Sequence, residues 1–346
     1  MKNKVFSFLL TLLLLGCSKT APQHTAATLP FLPVTVTIPD TKEVADIESQ
    51  TRSLFQSRDF DKLEAMADGF RTSLQAYPNG QSKLYFFYDA LDSQEDAPAS
   101  DWTNHFNILT DWVNTKPNSI TARVALANEW IEYAWAARGG DYSDTVSDEN
   151  WKLFFGRLNQ AVAVLNESKT LDEKCPAWWV AMLRAELGLQ VDRSQYDETF
   201  NSAIRAWPGY MSLYFNRANY LLPRWYGADG ELETDLEKSA NQIGGDAGDI
   251  AYAQVVWRVH HLVYSTNLFE EYNLSWDRTH RGLESLEKRY PDDLMIENEA
   301  AHLAVLGCDA SAAKKYFDQT AGRVDLYSWS VDDYSNFASQ VYNRVQ

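Results

Sequence analysis

Two stretches of the chain place a carboxylate and an imidazole three residues apart, Asp277-x-x-His280 and Glu299-x-x-His302. On a helix that spacing puts both groups on one face, as in carboxylate-bridged di-metal bundles. Such centres also need carboxylates from two further helices, and none stands out. His260 and His261 are adjacent and are therefore expected on different faces. The histidines read as solvated or core groups, and no metal is expected. Glu129, Glu132 and Asp141 are the acids a polymer hydrolase would use as proton donor and acceptor. No phosphate loop, GxSxG elbow or HExxH helix occurs, so no catalytic residue and no cofactor is assigned. Cys175 and Cys308 lack the basic neighbours that activate a thiol. Binding chemistry is better represented. Arg138 with Tyr142, and Arg224 with Trp225 and Tyr226, combine guanidinium forks with aromatic faces, which suit a peptide or carboxylate ligand lying in one groove. The other reading of these residues is that Arg138 and Arg224 anchor loops while Trp135 and Trp225 fill the core.

The elements that must position these groups are helical. From Asp40 the apolar residues recur in steps of three and four: Val44, Ile47, Thr51, Leu54 and Phe55, then Phe60, Leu63, Met66, Ala67 and Phe70. Arg58-Asp59 between them reads as a tight turn, giving an antiparallel hairpin. Five prolines follow an aromatic or other residue at the start of later apolar runs, at Tyr77-Pro78, Lys116-Pro117, Cys175-Pro176, Trp207-Pro208 and Tyr290-Pro291. Proline suits the first helical turn, where its missing N–H costs nothing. Two of the intervals between these prolines are close to the ~34 residues of a tetratricopeptide unit, and two are longer. Small residues such as Ala301 and Ala313 permit close helix crossings. The expected fold is all-α, a tetratricopeptide-like α-solenoid of about six or seven stacked antiparallel hairpins; a compact all-α bundle is the alternative. In an extended array Cys175 and Cys308 lie beyond disulfide range, so both are expected buried and unpaired.

The first residues carry an address. Lys2 and Lys4 precede an apolar run from Val5 to Leu15, too short to cross a bilayer and suited to a secretory signal. Leu14-Leu15-Gly16-Cys17 resembles a bacterial lipobox. That resemblance implies a signal peptide over residues 1–16 and a mature chain that begins at Cys17, acylated there to hold membrane lipid by more than one chain. Ser18 after the cysteine implies the outer membrane with the body in the periplasm. Residues 17–39 carry Pro22, Pro30, Pro33 and Pro39 and read as an extended linker. The alternation Val34–Ile38 is the one strand-like stretch within it. Residues 40–346 are then the helical repeat domain. With 48 acidic and 31 basic residues the net charge is −17, and loss of Lys2 and Lys4 takes it to −19. A body this acidic is unsuited to nucleic acid and repelled by anionic lipid. Three cysteines in 346 residues cannot form a disulfide scaffold.

Two motifs, Ala134-Trp-Ala-Ala-Arg-Gly-Gly-Asp-Tyr142 and Leu221-Leu-Pro-Arg-Trp-Tyr-Gly227, flank Cys175-Pro-Ala-Trp-Trp179. In that order, and over roughly residues 50–320, they resemble a bacterial family labelled domain of unknown function 4034. The resemblance implies a tetratricopeptide-like fold and carries no substrate, cofactor or site residue. Two functional expectations follow: a lipid-anchored module that binds a peptide, a protein partner or an envelope component in its concave groove, or an envelope-polymer hydrolase working through groove carboxylates.

Overall fold

Prolines and caps set the helix boundaries. In a computed structural model, which describes residues 35–37, 41–140, 143–172 and 174–345, Lys116, Trp207 and Tyr290 adopt nearly the same backbone conformation (φ/ψ −123/68, −137/63 and −129/73). Each donates its N–H to the carbonyl four residues back, at 2.8 Å, closing the preceding helix. The next residue is proline in every case, and a residue before proline is driven out of the α region. Proline thus ends one helix before the next begins, rather than opening the next as the sequence suggested. Pro117 and Pro208 take the second position of turns closed by Ser119 N–H to Lys116 O (2.9 Å) and Tyr210 N–H to Trp207 O (3.1 Å). Pro176 alone of the five opens a helix as expected.

Residues 42–77 and 81–220 form one compact unit. It contains α1 (Thr41–Gln56), α2 (Phe60–Ser73), α3 (Lys83–Asp89), α4 (Ala99–Thr115), α5 (Ile120–Arg138), α6 (Asp148–Glu167), α7 (Pro176–Leu189), α8 (Arg193–Ala206) and α9 (Met211–Tyr220). The expected first hairpin is present. Arg58 takes the left-handed conformation (φ 58°) and the Asp59 side chain accepts from Lys62 N–H, so the turn stops α1 and starts α2. Helices pack on their sequence neighbours, α4 on α5, α5 on α6, α6 on α7 and α7 on α8, as in a repeat array. At the centre Trp112 stacks on Phe60 with 5.5 Å between centroids, and its Nε1–H donates to Glu64 Oε1 at 2.7 Å. Leu63, Leu84, Phe87, Leu109, Phe154 and Leu158 complete this core.

The second unit comprises residues 221–346 with the segments 1–41 and 78–80. Its described helices are α10 (Glu231–Ile243), α11 (Gly245–Val263), the single turn α12 (Leu268–Glu271), α13 (Trp276–Arg289), α14 (Leu294–Leu306), α15 (Ala310–Thr320) and α16 (Val331–Arg344). Here too α10 packs on α11, α11 on α13, α13 on α14, α14 on α15 and α15 on α16. Ala301 and Ala313 are fully buried at such crossings. α11 and α13 approach closely at Gly282, where a Cβ would lie 2.1 Å from Asp249 O and 2.7 Å from Ala253 Cβ. Only a residue without a side chain lets α11 and α13 meet there.

The described chain is therefore all-α in character, a helical-repeat fold with sixteen α-helices and two three-residue strands. The strands are a finding. Thr35–Thr37, which the sequence placed in an extended linker, instead forms β1, paired in parallel with β2 (Arg323–Asp325) in the register Val36 to Val324. Residues 35–37 contain no proline, so the pairing loses no ladder donor. The segment expected to be a signal peptide, Cys17, and residues 18–34 and 38–40 lie outside the described residues, and no described helix is long and apolar enough to cross a membrane.

The cysteines divide. Cys175 is buried and free, as expected, and burial raises its thiol pKa. Cys308 corrects the expectation of burial: it occupies the exposed turn between α14 and α15, with φ 56°. A turn of this kind carries its side chain outward, where burial no longer shields the thiol.

Candidate binding cleft

Aromatics at helical spacing build a cleft in the first unit. Trp102 and Phe106 are four apart on α4; Trp130 and Tyr133 are three apart on α5. The Lys116–Ser119 turn sets the two helices side by side, and the Ser119 hydroxyl caps α5 by accepting from Ala122 N–H at 2.9 Å. Ring centroids are 4.6 Å apart for Trp102–Tyr133, 4.4 Å for Phe106–Trp130 and 5.6 Å for Phe106–Tyr133. Trp102 is buried and donates from Nε1 to Ala97 O at 3.1 Å, while the other three rings are half-buried. The guanidinium of Arg157 on α6 lies 3.2 Å from the Tyr133 ring centroid and donates to the Tyr133 carbonyl, which fixes that ring. Thr103, Asn107 and Thr110 stand exposed along the edge, with Leu126 completing a cleft of about 350 Å³. No Asp, Glu, Lys or Arg lines it. Flat apolar faces ringed by hydroxyls and an amide can stack on an uncharged ring or chain and hydrogen-bond its edges.

The acids proposed for hydrolysis are engaged elsewhere. Glu129 is fully buried and accepts from Ser93 N–H at 3.0 Å and from the Ser93 hydroxyl at 2.6 Å. Burial pushes its carboxyl up from 4.5 to about 7, against the opposing pull of the Ser93 bonds. His105 Nε2 meets the Leu91 carbonyl and lies 3.9 Å from Glu129 Oε2, with its pKa lowered by burial. Together these groups tie down the turn that follows α3. Asp92 Oδ1 is buried without a hydrogen-bond partner, and burial raises that carboxyl well above its ordinary value. Glu132 pairs with Arg184 of α7. Asp141 lies outside the described residues.

The binding residues read from the sequence are not gathered within either unit. Arg138 belongs to the first; Arg224, Trp225 and Tyr226 belong to the second; Tyr142 lies outside the described residues. Arg138 donates to Gly139 O at 2.9 Å and stands 5.7 and 5.6 Å from the rings of Trp135 and Trp151, holding the end of α5. Arg224 donates to Leu262 O at 3.1 Å. The turn that carries it is tight, since a Cβ on Gly227 would fall 1.7 Å from Leu221 O. These contacts agree with loop anchoring. The residues that do form a cleft, Trp102, Phe106, Trp130 and Tyr133, carried a legible signal: aromatic pairs at steps of three and four on consecutive helices.

The histidines regroup as well. His280 stacks on Trp276 and His302 on Trp329, with centroids 4.9 and 4.1 Å apart. Glu299 instead meets His260 Nδ1 at 2.9 Å and His261 Nε2 at 3.1 Å. The expectation that adjacent histidines must diverge is corrected by reach. One ring presents its near nitrogen and the other its far nitrogen, so two positions about 100° apart on α11 converge on one carboxylate of α14.

Helices stacked on their neighbours, with an aromatic cleft on two of them, define a helical-repeat protein with an uncharged cleft on α4 and α5. Residues 47–193, which include the cleft, match the family described as Domain of unknown function (DUF4034). The match takes in the Ala134–Tyr142 motif and the Cys175–Trp179 element but stops short of Leu221–Gly227. No curated protein and no solved structure matches the chain.

Proposed function

We propose that the protein is a lipid-anchored envelope protein whose helical-repeat body holds an uncharged ligand in the α4–α5 cleft. The cleft carries this reading: four aromatic rings with Thr103, Asn107 and Thr110 at the edge and no charged lining residue. A glycan ring suits it, apolar C–H face on the indole and phenol rings and hydroxyls toward the amide and threonines; an uncharged, proline-bearing peptide is the other ligand of this shape. Hydrolysis is the weaker alternative, because Glu129 has no exposed surface and is held by Ser93. The anchor is supported by the apolar leader and Leu14-Leu15-Gly16-Cys17, with outer-membrane attachment following from Ser18.

The cleft is tested by titrating the full-length protein with soluble cell-wall glycan fragments and with proline-bearing peptides while following tryptophan emission. A saturable change is expected, lost in Phe106→Ala and Trp130→Ala, with helical circular dichroism retained in both. Absence of saturation with either class, or equal binding by both variants, overturns the assignment. For the anchor, the N-terminal peptide of membrane-extracted protein is expected to carry acylated Cys17. One sulfur cannot hold both a thioether and a disulfide, so recovery of a Cys17–Cys308 bridge in that material would refute lipid attachment.

A further inference from the structure

We infer that His260, His261 and Glu299 form a binding site for one divalent transition-metal ion of the zinc class. This site belongs to the second unit and is independent of the cleft. His260 Nδ1, His261 Nε2 and a Glu299 carboxylate oxygen all lie within 4.8 Å of one another. The two nitrogens face the two carboxylate oxygens at 2.9 and 3.1 Å. Ligand atoms bound ~2.0–2.2 Å from a zinc ion stand about 3.0–3.4 Å apart at angles between square and tetrahedral, close to the two nitrogen–oxygen contacts, and side-chain rotation would draw the third separation in. Two imidazoles and one carboxylate are borderline ligands that suit zinc and its first-row neighbours.

The surroundings point to a cation. Glu299 is fully buried, and a buried carboxylate needs a compensating charge. Trp257 Nε1–H lies 3.1 Å from His261 Nε2. An indole N–H only donates, so it is satisfied when that nitrogen keeps its lone pair. A lone-pair nitrogen facing a carboxylate oxygen at 3.1 Å is an electron-rich pair, which a shared cation relieves. The protein also holds the rings in place around the site. His302 packs edge-on to His260 with centroids 4.3 Å apart, and its Nδ1 is 3.0 Å from Ser328 O, which keeps His302 outside the ligand set and in a fixed plane. His261 lies against Tyr327 and keeps 14% of its side-chain surface exposed, which makes it the ligand nearest to solvent. Three protein ligands leave a coordination position for water or a further ligand.

The test uses full-length protein freed of any affinity tag, stripped with chelator and titrated with zinc chloride, with cobalt as a spectroscopic probe. One equivalent of zinc is expected, together with a cobalt spectrum of nitrogen and oxygen ligation and a shift of the Trp257 indole N–H resonance as its acceptor turns to the metal. His261→Gln and Glu299→Gln should each weaken binding at least about tenfold, while His280→Ala leaves it unchanged. Should Glu299→Gln fail to fold, His261→Gln decides, since that ring is the less buried. No zinc uptake by the unmodified protein, or uptake that survives His261→Gln undiminished, overturns the site.

Discussion

Replacing Glu129 by glutamine should remove a pH dependence of stability that this one buried group creates. In the folded protein its carboxyl titrates near 7, against 4.5 when exposed, because burial disfavours the charged form. A carboxyl whose pKa is raised by folding contributes stability that is fully present below about pH 4.5 and is lost as pH rises through 7. At roughly 1.36 kcal/mol per unit, the whole loss is about 3 kcal/mol. Solubility falls near the isoelectric point of about 4.8, so the accessible window is pH 5.5 to 8.5. Over that range the loss is about 2 kcal/mol. Glutamine cannot ionise, yet its carbonyl can still accept from Ser93. Urea unfolding of both proteins, followed by tryptophan emission, should therefore show the variant gaining about 2 kcal/mol on the native protein between pH 5.5 and 8.5. Asp92 is displaced in the same direction, by burial first and in part by the charge of Glu129, so its residual pH dependence remains in the variant and is itself reduced by the substitution. Parallel pH profiles would refute the reasoning and show that Glu129 stays ionised in the fold.

Two further perturbations test the packing. Gly282→Ala places a methyl 2.1 Å from Asp249 O, so α11 and α13 must separate; a loss of about 1–3 kcal/mol is expected despite alanine's better helix propensity. Gly69→Ala, on α2 with nothing within 4 Å of the new methyl, should instead stabilise by up to about 1 kcal/mol, and thermal melts of the pair separate packing from propensity. Asn298→Ala strands two buried donors, Asp325 N–H at 3.2 Å and Trp329 Nε1–H at 3.0 Å. About 2–4 kcal/mol should be lost, with faster amide exchange in the segment that carries β2; unchanged exchange there would show that Asn298 does not hold it.

Much of the fold was legible because it is local. The apolar steps that define α1 and α2, and the Arg58-Asp59 turn between them, require nothing beyond neighbouring residues, and the structure reproduces both. Proline positions marked the helix junctions, though the conformation before each proline shows that three of them close the helix behind. Even the cleft was half-written, as aromatic pairs on consecutive helices. Its emergence as a surface depended on α4 and α5 lying side by side, and on Arg157 arriving from α6.

What sequence alone determined is the element content, all helices with prolines between, and an expected address at Cys17. What tertiary structure alone decided is which titratable groups meet. Glu299 was paired by spacing with His302, three residues away, yet its carboxylate faces His260 and His261, 39 and 38 residues distant. Glu129, one of the acids that a hydrolase would have used, is sealed inside against Ser93. Helix periodicity specifies which face a residue occupies. Which partner lies opposite depends on packing between helices that are distant in sequence.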